Sequence, residues 1–511
     1  MPVRTLMGGE TEYAIGATDA RGESIPQAIL LRRFMEFARH TLPYTSVSDG
    51  RFFSNGGLLY LDSGLHIEWA SPECASPHDV VRYLRAGDRI VHTLASEFAR
   101  ASPDVVDVFC TRCNVDYVER TLWASHESYL HWSHPARLPG QLIPFLASRV
   151  VLSGVGGWDH RSPGASFVLS PRAGFITEVA ADNTQEVRPI FSTKDEVLSD
   201  TGSHRLHVAC SETLCSDLAL LLRFGTTALI VALIDDGGLP GDRVRLQSPL
   251  MALRRFAKDP RCRARATLAN RRRVRAIDIQ RHYLSAVEER LGTAAMPHWA
   301  ESVCQLWRQA LDTLEIAPEK MATSLDWAIK QRVFADYLRR RGIAWSSLPA
   351  LNSALLHLGR ALVARGQRLD VETLRQSKGP CAEAIRELPP AADGGEITGD
   401  QMAVLLSNRQ RLFEIDMRFG QLGDHGIFDT LDRAGVLDHR VAGADAIETA
   451  LDAPPHGTRA TVRGDVVRRL TESRTRYCAD WMRVVDMDHR RELDLSDPFE
   501  AEERWRSLNA V

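Results

Sequence analysis

The stretch from Asn55 to Cys74, NGGLLYLDSGLHIEWASPEC, constrains the chain most. Asn55-Gly56-Gly57 is a turn signal, because asparagine and glycine tolerate the positive φ that tight turns need. Leu58 to Leu61 reads as a short strand. Leu65 to Ala70 alternates His66, Glu68 and Ala70 on one face with Leu65, Ile67 and Trp69 on the other, the pattern of a half-buried strand. Two such strands are expected to bring Asp62, His66, Glu68 and Glu73 together. Carboxylates gathered at a strand end suit a hard cation, since Mg2+ takes oxygen ligands and usually bridges to substrate phosphates. On this stretch alone two readings stand: the floor of a metal-nucleotide site, or a solvated sheet face with ordinary charges.

Other segments add polar groups of the same kind. Met7 to Ile15 predicts a first strand in which Glu10 and Glu12, two apart, share a face. Ile25 to Leu42 predicts a helix burying Ile29, Leu30, Phe34 and Phe37, and Pro77 to Arg100 a second helix. After an apolar strand come Arg112, Asn114 and Asp116, then His126 beside Glu127, where the histidine reads either as a ligand or as a satisfied structural residue. His204 to Val208 places Arg205 and His207 on one strand face, a pair that binds an anionic oxygen or forms a surface ion pair. Trp299 to Leu314 and Leu325 to Arg341 read as amphipathic helices. Ser346 to Gln410, with Pro389-Pro390 and Gly394-Gly395, reads as an insertion of helices around a loop, and a small terminal unit begins near Thr430.

Composition excludes several classes. The 511 residues carry 63 basic and 66 acidic side chains, a net charge of -3, which argues against a protein built to coat nucleic acid. The basic run Arg263 to Arg275 is a solvated face or a docking surface for an acidic partner. Nine cysteines, an odd number without regular spacing, point to reduced thiols in a cytoplasm, and Cys110-Thr111-Arg112-Cys113 lacks the second pair of a zinc site. Leu218 to Ile234 is the most apolar run. Interrupted by Arg223, Gly225, Thr226 and Thr227, it predicts a buried helix capped by Ser216 rather than a membrane span. The N-terminus lacks an apolar signal core. The glycines of Val151 to Trp158 do not form a phosphate loop, and no Rossmann, HExxH or GxSxG pattern occurs.

Gly9-Glu10-Thr11-Glu12-Tyr13, Asn55 through Cys74, Asn114-x-Asp116, His126-Glu127, Arg205-Leu206-His207-Val208 and Gly225 through Leu229 form an ordered series. It continues through Asp278-Ile279-Gln280, Asp326 through Lys330, Thr458-Arg459-Ala460 with Arg463-Gly464, and Asp480-Trp481. Together these resemble the Pup ligase family, of the proteasome accessory factor A type, and its sister the deamidase of Pup, both related to glutamine synthetase-like carboxylate-amine ligases. The resemblance covers most of the chain. It implies an α+β fold, a glutamine synthetase-like curved antiparallel sheet forming a cradle with helices on its back. That catalytic domain spans 1–429, with the insertion at 346–410, and a small C-terminal domain spans 430–511.

The resemblance also implies ATP and Mg2+. Glu10, Tyr60 and Glu68 match the family's metal positions, joined by His126 and His207 as candidate ligands. Ser71 falls where the family has a nucleotide-contacting threonine, Trp481 matches the tryptophan bordering the adenine, and Arg205 and Arg459 complete the candidate nucleotide contacts. Asp62 matches the catalytic aspartate. The implied reaction phosphorylates the side-chain carboxylate of the C-terminal glutamate of Pup, a short acidic protein, and joins it to a lysine of an acceptor protein. It places the chain in a proteasome-linked pathway, without nucleic acid or membrane. Alternatives on the same fold are a deamidase-type hydrolase, a small-molecule amidoligase, or a catalytically weak Pup-binding adaptor. A short path from Tyr13 to Asn55 and the Asp62-to-His66 spacing favour the ligase branch. Departures are Leu58, where the family has an arginine near the phosphates, the Thr193-Lys194-Asp195-Glu196-Val197-Leu198 run, and His66-Ile67-Glu68, which lacks the usual proline.

Overall fold

Period-two alternation carries the central sheet. β1 (Met7–Asp19), β2 (Arg51–Phe52), β3 (Leu58–Leu61), β4 (Ile67–Ala70), β5 (Val105–Thr111) and β6 (Ser125–His131) come first. Two short pairs follow, β7 (Gly157–Trp158) with β8 (Phe167–Val168) and β9 (Glu178–Ala181) with β10 (Pro189–Ser192), before β11 (His204–Ser211) returns to the sheet. The order is β11-β6-β1-β4-β3-β2, antiparallel throughout, and β5 pairs with the C-terminal half of β1. The computed structural model describes residues 4–41, 50–183, 187–376, 378–386, 397–438, 440–441, 443–500 and 502–508.

Residues directly opposite on paired strands share a face. The register sets Glu12 and Tyr60 opposite Glu68, Glu10 opposite His126, and His207 opposite Ser128, so polar side chains from five strands collect on one face. The other face carries Tyr13, Leu59, Ile67, Trp69, Tyr129, Leu206 and Val208, all buried under helices that include Pro77–Ala101 and Asp217–Asp235. Close packing requires glycine at two points. A Cβ on Gly9 would stand 2.7 Å from the Phe224 ring, and one on Gly87 would collide with the Trp69 indole.

Asp217–Asp235 is the one helix among the described residues long and apolar enough to cross a membrane, and it is wholly buried inside the protein. Ser216 caps it, its Oγ accepting the Ala219 N–H at 3.2 Å. Its Arg223 is buried and donates to Ser125 Oγ at 2.9 Å. Glu127 lies on this back side, bridged to Arg149 at 2.6 Å, so His126 and its neighbour face opposite sides of the sheet. In helix Gln27–Thr41 the buried stripe is Leu30, Leu31, Phe34, Met35 and Ala38. Ile29 stays 46% exposed, contrary to expectation, because it precedes that stripe by about 100° of helix rotation.

The basic run Arg263 to Arg275 folds as a hairpin of β12 (Arg265–Thr267) and β13 (Arg273–Arg275), with Ala266 and Val274 buried and Arg271, Arg272 and Arg273 exposed. Helices Leu348–Ala364, Val371–Gln376, Pro380–Arg386 and Gly399–Phe419 close a separate apolar cluster around Leu351, Leu355, Leu358, Leu374, Met402 and Leu405. Pro389-Pro390 and Gly394-Gly395 of the expected insertion lie outside the described residues. At the C-terminus, helix Arg459–Glu472 packs with an antiparallel sheet of β14 (Tyr477–Ala479), β15 (Arg483–Asp486), β16 (Arg491–Asp494) and β17 (Trp505–Ser507). Val462, Val466, Tyr477, Val484 and Leu493 form one cluster with Phe52, Leu58 and Ala70, fixing this unit to the edge of the main sheet.

Candidate active site

The polar face of the sheet opens into a cavity of about 820 Å³. At its centre Glu10 Oε2 lies 3.0 Å from His126 Nδ1, and Glu10 Oε1 accepts Arg205 Nη2 at 3.2 Å. Arg205 also donates to Ser128 Oγ at 2.8 and 3.0 Å. His126 reaches Glu12 at 3.6 Å and Glu68 at 3.8 Å. Ligand atoms of Glu10, His126 and His207 fall within 4.8 Å of one another, as do those of Glu12, Glu68 and His126. The Tyr60 hydroxyl meets Glu68 from the next strand.

Three carboxylates in one buried space do not ionise alike. Burial opposes the charge on Glu10, but the His126 hydrogen bond and then Arg205 outweigh it and hold the group far below the usual carboxylate range. Glu68, 2% exposed, goes the other way: burial, then the charge on Glu10, push it well above that range. Burial pulls His126 down, yet its bond to Glu10 and the surrounding carboxylates lift it to about 9. Burial and the Arg205 charge hold His207 down to about 3, leaving the neutral imidazole that ligates metals. Glu68 Oε1 and His207 Nε2 are buried without hydrogen-bond partners among the described residues. A hard divalent cation fits this donor set, because it supplies the charge that Glu68 otherwise takes from a proton and gives both orphaned atoms a partner.

Asp62 leaves the end of β3 beside this cluster. Its Oδ1 accepts the His66 backbone N–H at 2.6 Å and its Oδ2 lies 3.4 Å from His66 Nδ1, which is also 3.2 Å from Glu12 Oε2. Burial disfavours the imidazolium, but hydrogen bonds to Asp62 and Glu12 raise His66 to about 10. The opposite end of the cavity holds Ser71, Arg459 and Trp481. There the Ser71 hydroxyl accepts the Gly9 N–H at 3.0 Å and donates to the Pro72 carbonyl at 3.0 Å. Trp481 packs edge-on to Phe52, ring centroids 5.0 Å apart, under the Arg463 guanidinium.

Glu73 does not join the carboxylate cluster as its place in the sequence led us to expect. Past the end of β4 at Ala70 the chain turns at Ser71-Pro72 and carries Glu73 to the C-terminal helix. Its carboxylate accepts Arg459 Nε at 2.7 Å and Arg463 Nη1 at 3.1 Å. Burial opposes its ionisation, and Arg463 and Arg459 overcome that to bring it down to about 2. Arg459 is further held by the carbonyls of Leu198 at 2.6 Å and Leu495 at 2.9 Å, so its guanidinium serves the wall of the cavity. Cys110 and Cys113 are free and buried outside the cavity lining.

Two cavity residues escaped sequence reasoning. Arg172 stands on a single turn after β8 and Arg188 just before β10. Neither belongs to an alternating run, so no periodic signal announces the face they present.

Known proteins resemble this chain along most of its length. The family model described as "Pup-ligase protein" matches residues 5–358 and 400–485. A Pup–protein ligase of Paenarthrobacter aurescens (strain TC1) is 29% identical over 510 residues, covering 97% of this chain and 96% of that protein. A Pup–protein ligase of Mycobacteroides abscessus is 29% identical over 520 residues, covering 99% of each. Among solved structures, the ligase PafA in complex with the prokaryotic ubiquitin-like protein Pup superposes with a TM-score of 0.75 at 23% identity, over 98% of this chain and 90% of that one. The Pup ligase PafA in complex with ADP gives 0.68 at 23% identity, over 94% and 91%. Those two structures share the fold described above.

Proposed function

This chain belongs to the Pup-ligase protein family, and on that premise we propose that it uses ATP and a divalent cation to join a carboxylate to an amine. The carboxylate is the side chain of a C-terminal glutamate on a Pup-like acidic polypeptide, and the amine is a lysine of an acceptor protein. The observation that carries this reading is the alignment, on one sheet face, of Glu10, Tyr60 and Glu68 with Asp62 beside them. Full-length relatives named Pup–protein ligases, and solved ligase structures with Pup and with ADP, support the choice of substrate and nucleotide.

Glu10, Tyr60 and Glu68 would hold Mg2+, with His126 and His207 beside them; bound there, the ion offsets the charge that repels a carboxylate from a phosphate. Ser71 and Trp481 mark the nucleotide end, Arg205 reaches Glu10 from that same side of the sheet, and Arg459 buttresses the wall. The substrate carboxylate oxygen attacks the terminal phosphorus of ATP, ADP leaves, and the acyl group now carries a good leaving group. The acceptor lysine, protonated near neutrality with a reference pKa of about 10.4, must lose a proton before it attacks the acyl carbon. Asp62 takes that proton as general base, and phosphate departs. His66 fixes Asp62 through its backbone N–H at 2.6 Å.

We assign 1–429 to catalysis and 430–511 to a small C-terminal domain that borders the nucleotide end. Nine free cysteines accord with a reducing cytoplasm, where ATP is supplied. The test is to incubate the purified protein with Mg-ATP, Pup ending in glutamate and a lysine-bearing acceptor. A conjugate lighter by one water than its two parts, with ADP released in step and both lost in Asp62→Asn, is the expected result. Folded protein that releases no ADP and forms no conjugate overturns the reading.

A further inference from the structure

Of the 63 basic side chains in this chain only five are lysine, and the rest are arginine. Lysine is ordinarily among the commonest residues of a soluble domain. Charge is not what the imbalance removes, since arginine carries the same charge. It removes an amine. An ε-ammonium gives up its proton at a reference pKa of about 10.4 and becomes a nucleophile, whereas a guanidinium, with a pKa above about 12, stays protonated.

At many surface positions the fold has no use for the guanidinium fork. Arg339, Arg411 and Arg468 are exposed on helices and meet Asp336, Glu414 and Asp465, three residues away, at 3.3, 2.6 and 2.7 Å. Such surface pairs contribute at most about 1 kcal/mol, and a lysine makes them as well. On the basic hairpin, Arg263, Arg265 and Arg273 are exposed, lie outside the cavity lining and have no ion pair among the described residues. The fork is used in the interior: buried Arg149 gives Nη1 and Nη2 to the two carboxylate oxygens of Glu127, at 2.8 and 2.6 Å.

The placement of the five lysines points the same way. Lys330 is 4% exposed and held to Asp416 at 2.6 Å, while Lys258 pairs with Asp159 and Lys194 with Glu196, each at 2.7 Å. An adjacent carboxylate favours the ammonium, the form that does not attack. Lys320 and Lys378 are exposed without an ion pair among the described residues.

Resting on the ligase reading, we infer that arginine in place of lysine is a self-exclusion device, which keeps the enzyme's own surface from serving as acceptor. The acyl phosphate formed in the cavity reacts with an amine. A carbon–nitrogen bond forms, the carbon–oxygen bond to phosphate breaks, and the ammonium proton passes to Asp62. Because the amine arrives on another protein, the cavity must admit protein surfaces, and further copies of this chain are always among them. A copy clad in arginine presents the usual charge without a nucleophile.

The test returns lysine to six exposed positions of the full chain, in two sets that keep the charge. One is Arg263→Lys, Arg265→Lys and Arg273→Lys on the hairpin, and the other is Arg339→Lys, Arg411→Lys and Arg468→Lys on the helices. Each form is incubated with Mg-ATP and Pup ending in glutamate, alone and beside a lysine-bearing acceptor, and the ligase is then read by intact mass and peptide mapping. Both variants are expected to keep the wild-type Tm and the wild-type rate on the separate acceptor. The expected result is Pup joined to introduced lysines, so that self-conjugate rises above the wild-type level. Variants that ligate the acceptor as wild type does, yet carry no Pup at any of the six positions, overturn the inference, because the surface is then spared whatever its lysine content. No conjugate on either protein in any form removes the ligase reading, and this inference with it.

Discussion

Glu68 shows how one side chain is tuned by what it faces. Opposite Glu12 and Tyr60, and near Glu10, it keeps a proton that its exposed counterparts release. An isosteric amide reproduces that neutral state, so Glu68→Gln is expected to leave the Tm of the metal-free protein unchanged or higher. The same change removes a carboxylate from the cation site, and Mg2+ is then expected to strengthen ADP binding much less, which calorimetry with and without Mg2+ reads. Asp62 carries the complementary prediction. Asp62→Asn should lower the rate of conjugate formation by about 10²-fold or more, the usual size of a general-base effect, with Mg-ADP affinity retained. An equal loss of affinity would make Asp62 a binding residue instead. Glu68 was legible because it stands in an alternating strand, where one apolar neighbour fixes the face of the next polar one: Trp69 and Ile67 inward put Glu68 outward, and Asp62 and His66 flank the turn between two such strands. Arg172 and Arg188 reach the cavity from a turn and a strand entrance, where no such neighbour rule operates.

Between elements, the decisive contact joins the end of β4 to the helix Arg459–Glu472. Glu73 is the tie, and its pKa falls from 4.5 to about 2 on folding. A carboxylate lowered in this way adds stability that is full above about pH 4.5 and is lost as pH falls toward 2, on the order of 3 kcal/mol. Glu73→Gln should therefore destabilise the protein near neutrality and flatten the fall in Tm between pH 4.5 and 2. A wild-type slope retained in the variant would assign the acid sensitivity elsewhere. Leu58 belongs to the same joint. Only 7% exposed, it packs with Phe52, Val466 and Trp481, so the residue that departs from the resembled family's arginine serves as a core contact. Leu58→Ala is expected to cost about 2–4 kcal/mol in denaturant unfolding, because truncation leaves a cavity between sheet and helix. The strands and most helix spans at this joint were legible from periodicity. The tie was not, since Glu73 lies 386 residues from Arg459 in the chain and a turn, not an alternation, aims it.

At the scale of the molecule, the two largest apolar clusters among the described residues have different duties. The larger lies behind the sheet and holds the site residues from below. The other is closed by helices between Leu348 and Phe419, and none of the described residues from that span lines the cavity. The family model passes over 359–399, the centre of that span. Composition marked this region as different, but a polar stretch with scattered leucines does not show in advance that its helices will find one another. Their core touches the rest of the protein through Trp158, Ala165 and Phe334. If the helices stabilise one another and not the site, damage to their core should stay local. Leu374, fully buried between short helices, is the place to test it. Leu374→Ala should cost about 2–4 kcal/mol of local stability. Amide exchange should quicken in Val371–Gln376 and Pro380–Arg386, while Mg-ADP affinity and conjugation rate stay within about twofold of wild type, because local opening need not propagate through a separately closed cluster. A matching loss of Mg-ADP affinity would show instead that Trp158 and Phe334 transmit the state of this unit to the cavity, making the helices part of the catalytic body.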